Sequence, residues 1–179
     1  MKYLICSDLH GSYSATKKVL EHFTALKCDF LILLGDILYH GPRNPLPNEH
    51  DPQQVCDLLN KYSDKIIACR GNCDSEVDQA ILSFPIMQDY SLILDDGMRL
   101  FCTHGHLFTP DSSKIQYDVF FSGHTHIQVL ERGTHNAIIC NPGSASLPKA
   151  SSSAGFAVYE DNMVMLYDIE GIKLKTMSL

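Results

Sequence analysis

The sequence predicts an α/β fold in the first half of the chain and a largely β fold in the second half. Up to residue 69, short apolar runs alternate with segments whose apolar residues recur at helical spacing, which is typical of parallel βαβ units. From residue 90 onward, apolar runs follow one another with turn signals between them, which is typical of hairpins. A length of 179 residues suits one domain, so we expect a single domain over 1–179.

The first βαβ unit lies at the start of the chain. Residues 2–6 form a predicted buried strand, and residues 29–36 form a second one that runs into Gly-Asp. Between them, residues 14–26 have a helical stripe, with Ser12 or Ser14 as the cap. The stripe consists of Val19, Leu20, Phe23 and Leu26. Strand, helix and strand within 35 residues predict a right-handed unit with parallel strands.

The next segment is expected to be a loop, because residues 39–52 hold four prolines. A helix over 52–62 follows, with an apolar stripe of Val55, Leu58 and Leu59. We then expect a strand at 65–69 and a short helix at 76–82.

The second half reads as a series of strands. Asp-Gly between two apolar runs predicts a hairpin in "YSLILDDGMRLFCTHG". Three further strands are expected in "YDVFFSGHTH", "IQVLERG" and "NAIICNPGS", and a last hairpin in "GFAVYEDNMVMLYDI". We expect the apolar segment "FAVYEDNMVMLY" to be an open edge that pairs between chains, in a homo-oligomer such as a dimer or tetramer.

Composition excludes several classes of protein. The net charge of -7 disfavours nonspecific binding to nucleic acid or to an anionic membrane. The apolar runs are too short to cross a bilayer, and we expect no signal peptide before "MKYLICSD". Seven cysteines without a CxxC pair indicate free thiols in a reducing compartment, so we expect a cytoplasmic protein.

Aspartate, histidine and asparagine follow the ends of five predicted strands. These residues are Asp8, His10, Asp36, Asn72, His104, His124 and His126. Because the carboxyl ends of strands in an α/β sheet share one edge, we expect these side chains to converge there. In Asp-x-His and His-x-His, the two outer residues can face one point if the backbone is extended.

The convergent residue types predict a metal centre. Two carboxylates with several imidazoles suit Mn, Fe, Co, Zn or Ni. Seven ligands exceed what one tetrahedral ion takes, but they fit two ions about 3.5–4 Å apart that share a carboxylate, for which we choose Asp36. Two divalent ions outweigh the charges of Asp8 and Asp36, so the site would attract an anion such as phosphate.

The motifs "DLHG", "GDI", "GNCD", "THGH" and "GHTH" resemble, in order, the five motif blocks of the calcineurin-like metallophosphoesterases. "HGHLF" and "NPGSASLPK" resemble the small bacterial YfcE-type phosphodiesterases within that family. The resemblance implies a four-layer α/β/β/α sandwich with two mixed sheets flanked by helices. It also implies in-line attack of metal-bridging hydroxide on the phosphorus of a small phosphodiester.

The resemblance implies a division of the ligands between two ions. Asp8, His10 and His126 would hold the first ion, and Asn72, His104 and His124 the second, with Asp36 bridging. We expect manganese, with Fe, Zn, Ni or Co as alternatives.

The catalytic residues implied by the resemblance are Asn72, Cys73, Asp74 and His104. Many relatives have His where this chain has Cys73, and that His is credited with protonating the leaving oxygen. A thiol is a poorer acid at neutral pH than imidazolium. We therefore hypothesise a preference for good leaving groups or an acid supplied elsewhere. Arg70 lies beside Asn72, without an assigned role.

Two alternatives to a phosphodiesterase remain at this point. A retromer subunit of the same fold is a binding scaffold with an incomplete site, so fold alone does not establish catalysis. All seven ligand positions are filled here, which favours an enzyme. A phosphomonoesterase or nuclease is the other alternative. The short chain has no basic groove, which favours small substrates over long nucleic acid.

Overall fold

The computed structural model describes residues 1–179, which form two β-sheets and three α-helices. The helices are α1 (Tyr13–Ala25), α2 (Pro52–Leu59) and α3 (Glu76–Ile81), and 3₁₀ helices occupy Asn60–Lys65 and Thr134–Asn136. The strands are β1 (Tyr3–Cys6), β2 (Phe30–Leu33), β3 (Ile66–Ala68), β4 (Tyr90–Asp95), β5 (Met98–Thr103), β6 (Val119–Phe121), β7 (Gln128–Arg132), β8 (Ile138–Pro142), β9 (Gly155–Glu160), β10 (Met163–Asp168) and β11 (Lys173–Ser178).

The first sheet has six strands in the order β11-β10-β9-β1-β2-β3. Strands β1, β2 and β3 are parallel, with Leu4 opposite Leu31 and Leu31 opposite Ile66, which confirms the predicted βαβ unit. The other half of the sheet is antiparallel, because β9 pairs with β1 and forms a hairpin with β10. This sheet is therefore mixed.

The second sheet has five strands in the order β4-β5-β6-β8-β7. The hairpin of β4 and β5 is confirmed, and its turn places Asp96 and Gly97 at φ of 48° and 81°. Strands β5, β6 and β8 are parallel, and β7 returns antiparallel to β8. The parallel strands of each sheet matter for function, because polar residues follow them.

The main cores lie between the two sheets and under α1 and α2. Tyr3, Ile32, Phe121 and Cys140 belong to the buried cluster formed by both sheets. The outer face of the first sheet packs against α1 and α2 in a second cluster that includes Val19. Two mixed sheets flanked by few helices confirm the expected fold class.

The outer face of the second sheet is covered by a connecting segment rather than by a long helix. Phe101, Phe120 and Ile139 point outward there and are buried. Phe108 and Tyr117, from the chain between β5 and β6, pack on them. Aromatic side chains thus shield this face without the regular helix expected for the fourth layer.

Helix boundaries follow the capping residues. Ser12 caps α1, because its Oγ accepts from the backbone N–H of Ala15 at 3.3 Å. Asp51 caps α2, where Pro52 takes the first helical position. This helix ends at Leu59, earlier than the expected residue 62, and the chain continues as a 3₁₀ helix.

The expected open edge at "FAVYEDNMVMLY" is wrong. These residues form β9 and β10, and both strands have neighbours on each side. The neighbour of β10 is β11, which the sequence analysis did not predict. Its side chains are mostly exposed, so "KLKTMS" has no continuous apolar signal. The backbone hydrogen bonds of an edge strand explain why it forms there.

None of the three α-helices is both long and apolar enough to cross a membrane. The seven cysteines are all free thiols, and six of them are buried.

Candidate metal centre

The polar clusters gather where parallel strands of both sheets end. Asp8 and His10 follow β1, and Asp36 follows β2 in the first sheet. In the second sheet, His104 follows β5, and the cluster that contains His124 follows β6. Backbone bonds join these loops, including Asp8 N–H to Gly35 O at 3.1 Å and Gly123 N–H to His104 O at 2.8 Å. We expected these side chains along the edge of one sheet, but they follow strands of two sheets whose ends lie close together.

Five of the seven predicted ligands have left-handed backbone conformations. Their φ angles are 56° at Asp8, 49° at His10, 54° at Asp36, 67° at His124 and 60° at His126. The extended backbone that we expected for Asp-x-His and His-x-His is therefore wrong. Each strand ends in a sharp turn, and it is this turn that aims the side chains. Left-handed conformations are costly for residues with a Cβ and concentrate at functional sites.

Two glycines permit the close approach of these turns. A Cβ on Gly71 would lie 2.1 Å from Asp36 Oδ1, and a Cβ on Gly123 would lie 1.8 Å from Ser7 Oγ. Both distances are far below van der Waals contact. Any larger residue would displace the Asp36 carboxylate in the first case and the Ser7 side chain in the second.

Three buried histidines are oriented by backbone carbonyls. The Nδ1 atoms of His10, His104 and His126 lie 2.8, 2.9 and 2.6 Å from carbonyl oxygens. The acceptors belong to Tyr39, Leu34 and Leu147 respectively. A carbonyl only accepts, so each Nδ1 carries the proton. In the neutral ring, the lone pair is then on Nε2.

These Nε2 atoms converge on carboxylate oxygens. His10 Nε2 lies 3.2 Å from His126 Nε2, and the two lie 3.6 and 3.3 Å from Asp8 Oδ1. Asp8 Oδ1 is buried and has no hydrogen-bond partner. Lone pairs that face each other in a buried space repel unless a cation lies between them. The geometry therefore fits a divalent metal held by Asp8, His10 and His126.

The same arrangement recurs around Asp36. His10 Nε2 and His104 Nε2 lie 3.7 and 3.6 Å from Asp36 Oδ2. Asn72 Oδ1 lies 3.1 Å from His104 Nε2, which again opposes two acceptors. A carboxylate between the two histidines has the position that a bridging ligand requires.

His124 reaches this group less directly than the other six residues. Its ring centroid lies 5.1 Å from that of His104, and its backbone N–H donates to Asp8 Oδ2 at 3.0 Å. The side chain is half-buried. The structure thus brings the seven predicted residues together, with Asn72 exposed and His124 half-buried at the cleft.

Electrostatics make the centre attractive to cations. Burial alone would raise the pKa of Asp8, but the imidazoles of His10, His126 and His104 lower it well below its usual range. Burial opposes protonation of His10, yet the Asp8 carboxylate and the Tyr39 carbonyl raise its pKa. At His124, burial and the neighbouring His104 lower the pKa. The anionic charge is therefore concentrated on the carboxylates.

Asp74 supports the centre from below. It is buried, and its carboxylate accepts from the backbone N–H groups of Asp36, Ile37 and Gly71 at 2.8, 2.9 and 2.7 Å. These contacts fix the turn that carries Asp36. The residue predicted as catalytic therefore contacts the backbone of a predicted ligand.

The backbone of Asp8 is held by two serines that the sequence analysis did not single out. Ser144 Oγ and Ser146 Oγ donate to Asp8 O at 2.7 and 2.9 Å. Both belong to "NPGSASLPK", one of the segments that resemble the YfcE-type phosphodiesterases. Serine has no signal in sequence that separates this role from an ordinary loop position.

Cys73 lies half-buried beside Asp36. Its backbone N–H donates to Asp36 Oδ1 at 2.8 Å, and its Sγ is 3.2 Å from Asn72 Nδ2. Burial and the nearby Asp36 raise the pKa of the thiol to about 12. The side chain is thus a neutral thiol in the metal-free protein.

A cleft of about 420 Å³ opens over the centre. It is lined by Asp36, Gly41, Pro42, Arg43, Asn44, Asn72, Cys73, His124, Thr125, His126 and Lys149. Arg43 and Lys149 were not predicted as site residues, because isolated basic residues in loops are common. Arg70 does not line the cleft; its backbone N–H donates to Gln88 O.

Comparison with known proteins agrees with this geometry. Residues 1–162 match the calcineurin-like phosphoesterase superfamily domain. The chain is 46% identical over 167 residues to Phosphodiesterase YfcE of Escherichia coli K12, covering 92% of this chain and 90% of the relative. A solved structure of YfcE, described as a phosphoesterase from E. coli, has a TM-score of 0.95 at 40% identity and covers 99% of each chain.

A more distant likeness concerns the fold alone. Vacuolar Protein Sorting 29 from Cryptosporidium parvum has a TM-score of 0.70 at 16% identity, and the match covers 99% of this chain and 98% of that one. The matched domain, the identity to YfcE and the buried cluster of carboxylates and imidazoles agree with one another. The chain belongs to the calcineurin-like phosphoesterase superfamily.

Proposed function

We propose that this protein is a metal-dependent phosphodiesterase that hydrolyses small phosphodiesters with two divalent ions. The proposal rests on the convergence of acceptor atoms at the centre. Asp8 Oδ1 has no hydrogen-bond partner, and the Nε2 atoms of His10 and His126 face it and each other. The relatives named phosphodiesterases support the same activity.

The proposed ligands divide into two sets with a shared carboxylate. Asp8, His10 and His126 would hold one ion, and Asn72, His104 and His124 the other. Asp36 would serve both, since its Oδ2 faces His10 and His104. We propose manganese, with Fe, Zn, Ni or Co as alternatives of similar ligand preference. When bound, two such ions supply Lewis acidity toward a phosphoryl oxygen and make water a competent nucleophile near neutral pH.

The chain itself contributes orientation and shape. Backbone carbonyls fix the rings of His10, His104 and His126, and Asp74 fixes the turn of Asp36. Among the proposed catalytic residues, Asn72 and Cys73 line the cleft, where they would contact the substrate. A cleft of about 420 Å³ is in the range of sites for small molecules.

The same observations separate this proposal from its alternatives. A binding scaffold has no need for a buried cluster of carboxylate and imidazole groups arranged as a cation would require. The cleft has two basic residues rather than a basic groove, which favours small substrates over long nucleic acid. The seven free thiols suit the reducing cytoplasm that we propose as the location. Homo-oligomer formation stays a prediction, because the open edge expected at "FAVYEDNMVMLY" is not present.

A matrix of metals and substrates on demetallated protein tests the proposal. We expect phosphodiester hydrolysis to return with divalent ions, most strongly with Mn²⁺, and phosphomonoesters to be hydrolysed more slowly. Asp36→Asn should abolish activity with every metal, whereas the exposed Asp111→Asn, as a matched control, should not. Activity that persists in Asp36→Asn would falsify the assignment.

A further inference from the structure

The cleft over the metal centre carries more positive charge than a simple phosphodiester requires. Such a substrate bears one negative charge at phosphorus. The two proposed ions already exceed the charges of Asp8 and Asp36. The lining adds two cations, Arg43 and Lys149, and Asp36 is its one acidic member. This excess lies in a protein whose net charge is -7.

Both cations are free to engage a ligand. Ion pairs elsewhere in the protein involve Lys2, Lys18 and Arg99, but Arg43 and Lys149 make none. Their side chains also take part in no hydrogen bond within the chain, and both are exposed. A basic side chain without an internal partner in a substrate cleft is available to bind an anion.

The two residues reach the cleft from different loops. Arg43 belongs to the proline-rich loop, which packs on the centre at Gly41, where a Cβ would lie 3.1 Å from Cys73 Sγ. Lys149 belongs to the segment that follows β8, and this segment contacts the centre where the Lys149 backbone N–H donates to His126 O at 3.0 Å. Both cations therefore line the cleft into which the substituents of a bound phosphodiester would extend.

We propose that Arg43 and Lys149 determine specificity by binding a second anionic group, carboxylate or phosphate, on a substituent of the scissile phosphodiester. The inference rests on the proposed phosphodiesterase function and narrows its substrate class. The second charge is separate from the phosphorus under attack. A diester with two neutral substituents leaves both cations without a partner, and therefore binds less well.

Substrate pairs with a common leaving group test this inference. The reference substrate is propyl p-nitrophenyl phosphate, whose propyl substituent is neutral, and the charged ones carry 2-carboxyethyl or 2-phosphoethyl in place of propyl. We expect the parent to prefer the charged substrates by roughly fivefold in kcat/KM per cation engaged, the upper end for exposed ion pairs. The charged substrate with the larger preference shows whether the two cations favour a carboxylate or a phosphate group. The preference should fall as KCl is raised.

Substitutions test which residues cause the preference for the substrates with a charged substituent. Arg43→Gln and Lys149→Gln should each lower the ratio of charged to neutral kcat/KM, mainly through KM, and the double variant should bring it close to one. Arg43→Lys should restore part of the ratio. Lys114→Gln removes a cation that lines a different cleft and should leave the ratio as in the parent.

Binding supplies a readout that does not depend on turnover. Calorimetry with the 2-carboxyethyl and propyl esters of benzylphosphonate should show tighter binding of the charged ester by the parent and equal binding by the double variant. Equal preference in parent and double variant, by kinetics or calorimetry, overturns the inference. Absence of metal-dependent nitrophenol release from all three substrates instead overturns the proposed function.

Discussion

Replacement of Asp74 tests how far the turn that carries Asp36 depends on the hydrogen bonds of the Asp74 carboxylate. Asn at this position presents an amide donor to three backbone donors, so at least one hydrogen bond is lost. We expect Asp74→Asn to lower the free energy of unfolding by about 1–3 kcal/mol. It should also weaken Mn²⁺ binding by roughly 10- to 100-fold, since the turn of Asp36 is released.

Urea unfolding of the metal-free protein and calorimetric titration with Mn²⁺ measure the two effects of Asp74→Asn. The exposed Asp57→Asn serves as a control that removes one carboxylate from α2. Unaltered Mn²⁺ affinity in Asp74→Asn would show that the turn does not need these hydrogen bonds.

Cys73 tests how the leaving group is protonated. A thiol, whose ordinary pKa is about 8.5, gives up its proton near neutral pH less readily than an imidazolium does. We expect Cys73→His to increase kcat for alkyl phosphodiesters more than for aryl ones, because alkoxide leaving groups depend more on an acid. Steady-state rates on both classes, with Cys73→Ser as the control, check this. An equal gain on both, or none, contradicts the hypothesis.

At the scale of elements, the start of β6 is tied to β5 by one carboxylate. Asp118 Oδ2 accepts from the backbone N–H and the Nε of Arg99, at 2.9 and 3.0 Å, and Oδ1 accepts from Nη2. The side-chain hydrogen bond from Arg99 lowers the pKa of Asp118. The folded state therefore binds this proton less readily than the unfolded state, whose pKa is about 3.9.

The sign of the pKa shift sets the pH window. The stabilisation by Asp118 is complete above the unfolded pKa and is lost as pH falls below about 4. We expect Asp118→Asn to be less stable than the parent by a constant margin between pH 5 and pH 8, a window taken from that unfolded pKa. The margin should shrink on acidification, as followed by urea unfolding at several pH values. A margin that grows toward low pH would show that the ion pair is not its source.

At the scale of the whole molecule, the metal centre joins the two sheets. Its proposed ligands follow β1 and β2 in one sheet and β5 and β6 in the other. Each bound ion should therefore stabilise the assembled sandwich, by about 2.7 kcal/mol when the free metal is at 100 times its Kd. Thermal unfolding with Mn²⁺ and with EDTA measures the difference. Asp36→Asn should abolish most of the shift, and an equal shift in both proteins would place the ions elsewhere.

The sequence predicted the order of strands along the chain better than their arrangement in space. Apolar runs and turn residues located β1 to β10, because each buries at least one face or flanks a clear turn. Strand β11 was missed, since its stability comes from backbone pairing with β10 rather than from buried side chains. The division into two sheets came from the family resemblance, because periodicity does not specify which strands pair.

The candidate site was predictable in its residue types and not in its geometry. Asp, His and Asn recur after five predicted strands, and this repetition indicated a shared site. The left-handed turns at Asp8 and Asp36 were not foreseen, because those residue types allow several backbone conformations. Arg43 and Lys149 became visible only once the folded loops placed them around one cleft.

The left-handed turns carry a consequence for laboratory evolution. Five of the proposed ligands hold a backbone shape that glycine adopts without cost, whereas aspartate and histidine do not. Selection of variants for thermal stability alone would therefore favour glycine at those five positions. The most stable variants would then lack metal ligands and would be inactive. A screen that also selects for catalytic activity would retain the ligands at these strained positions.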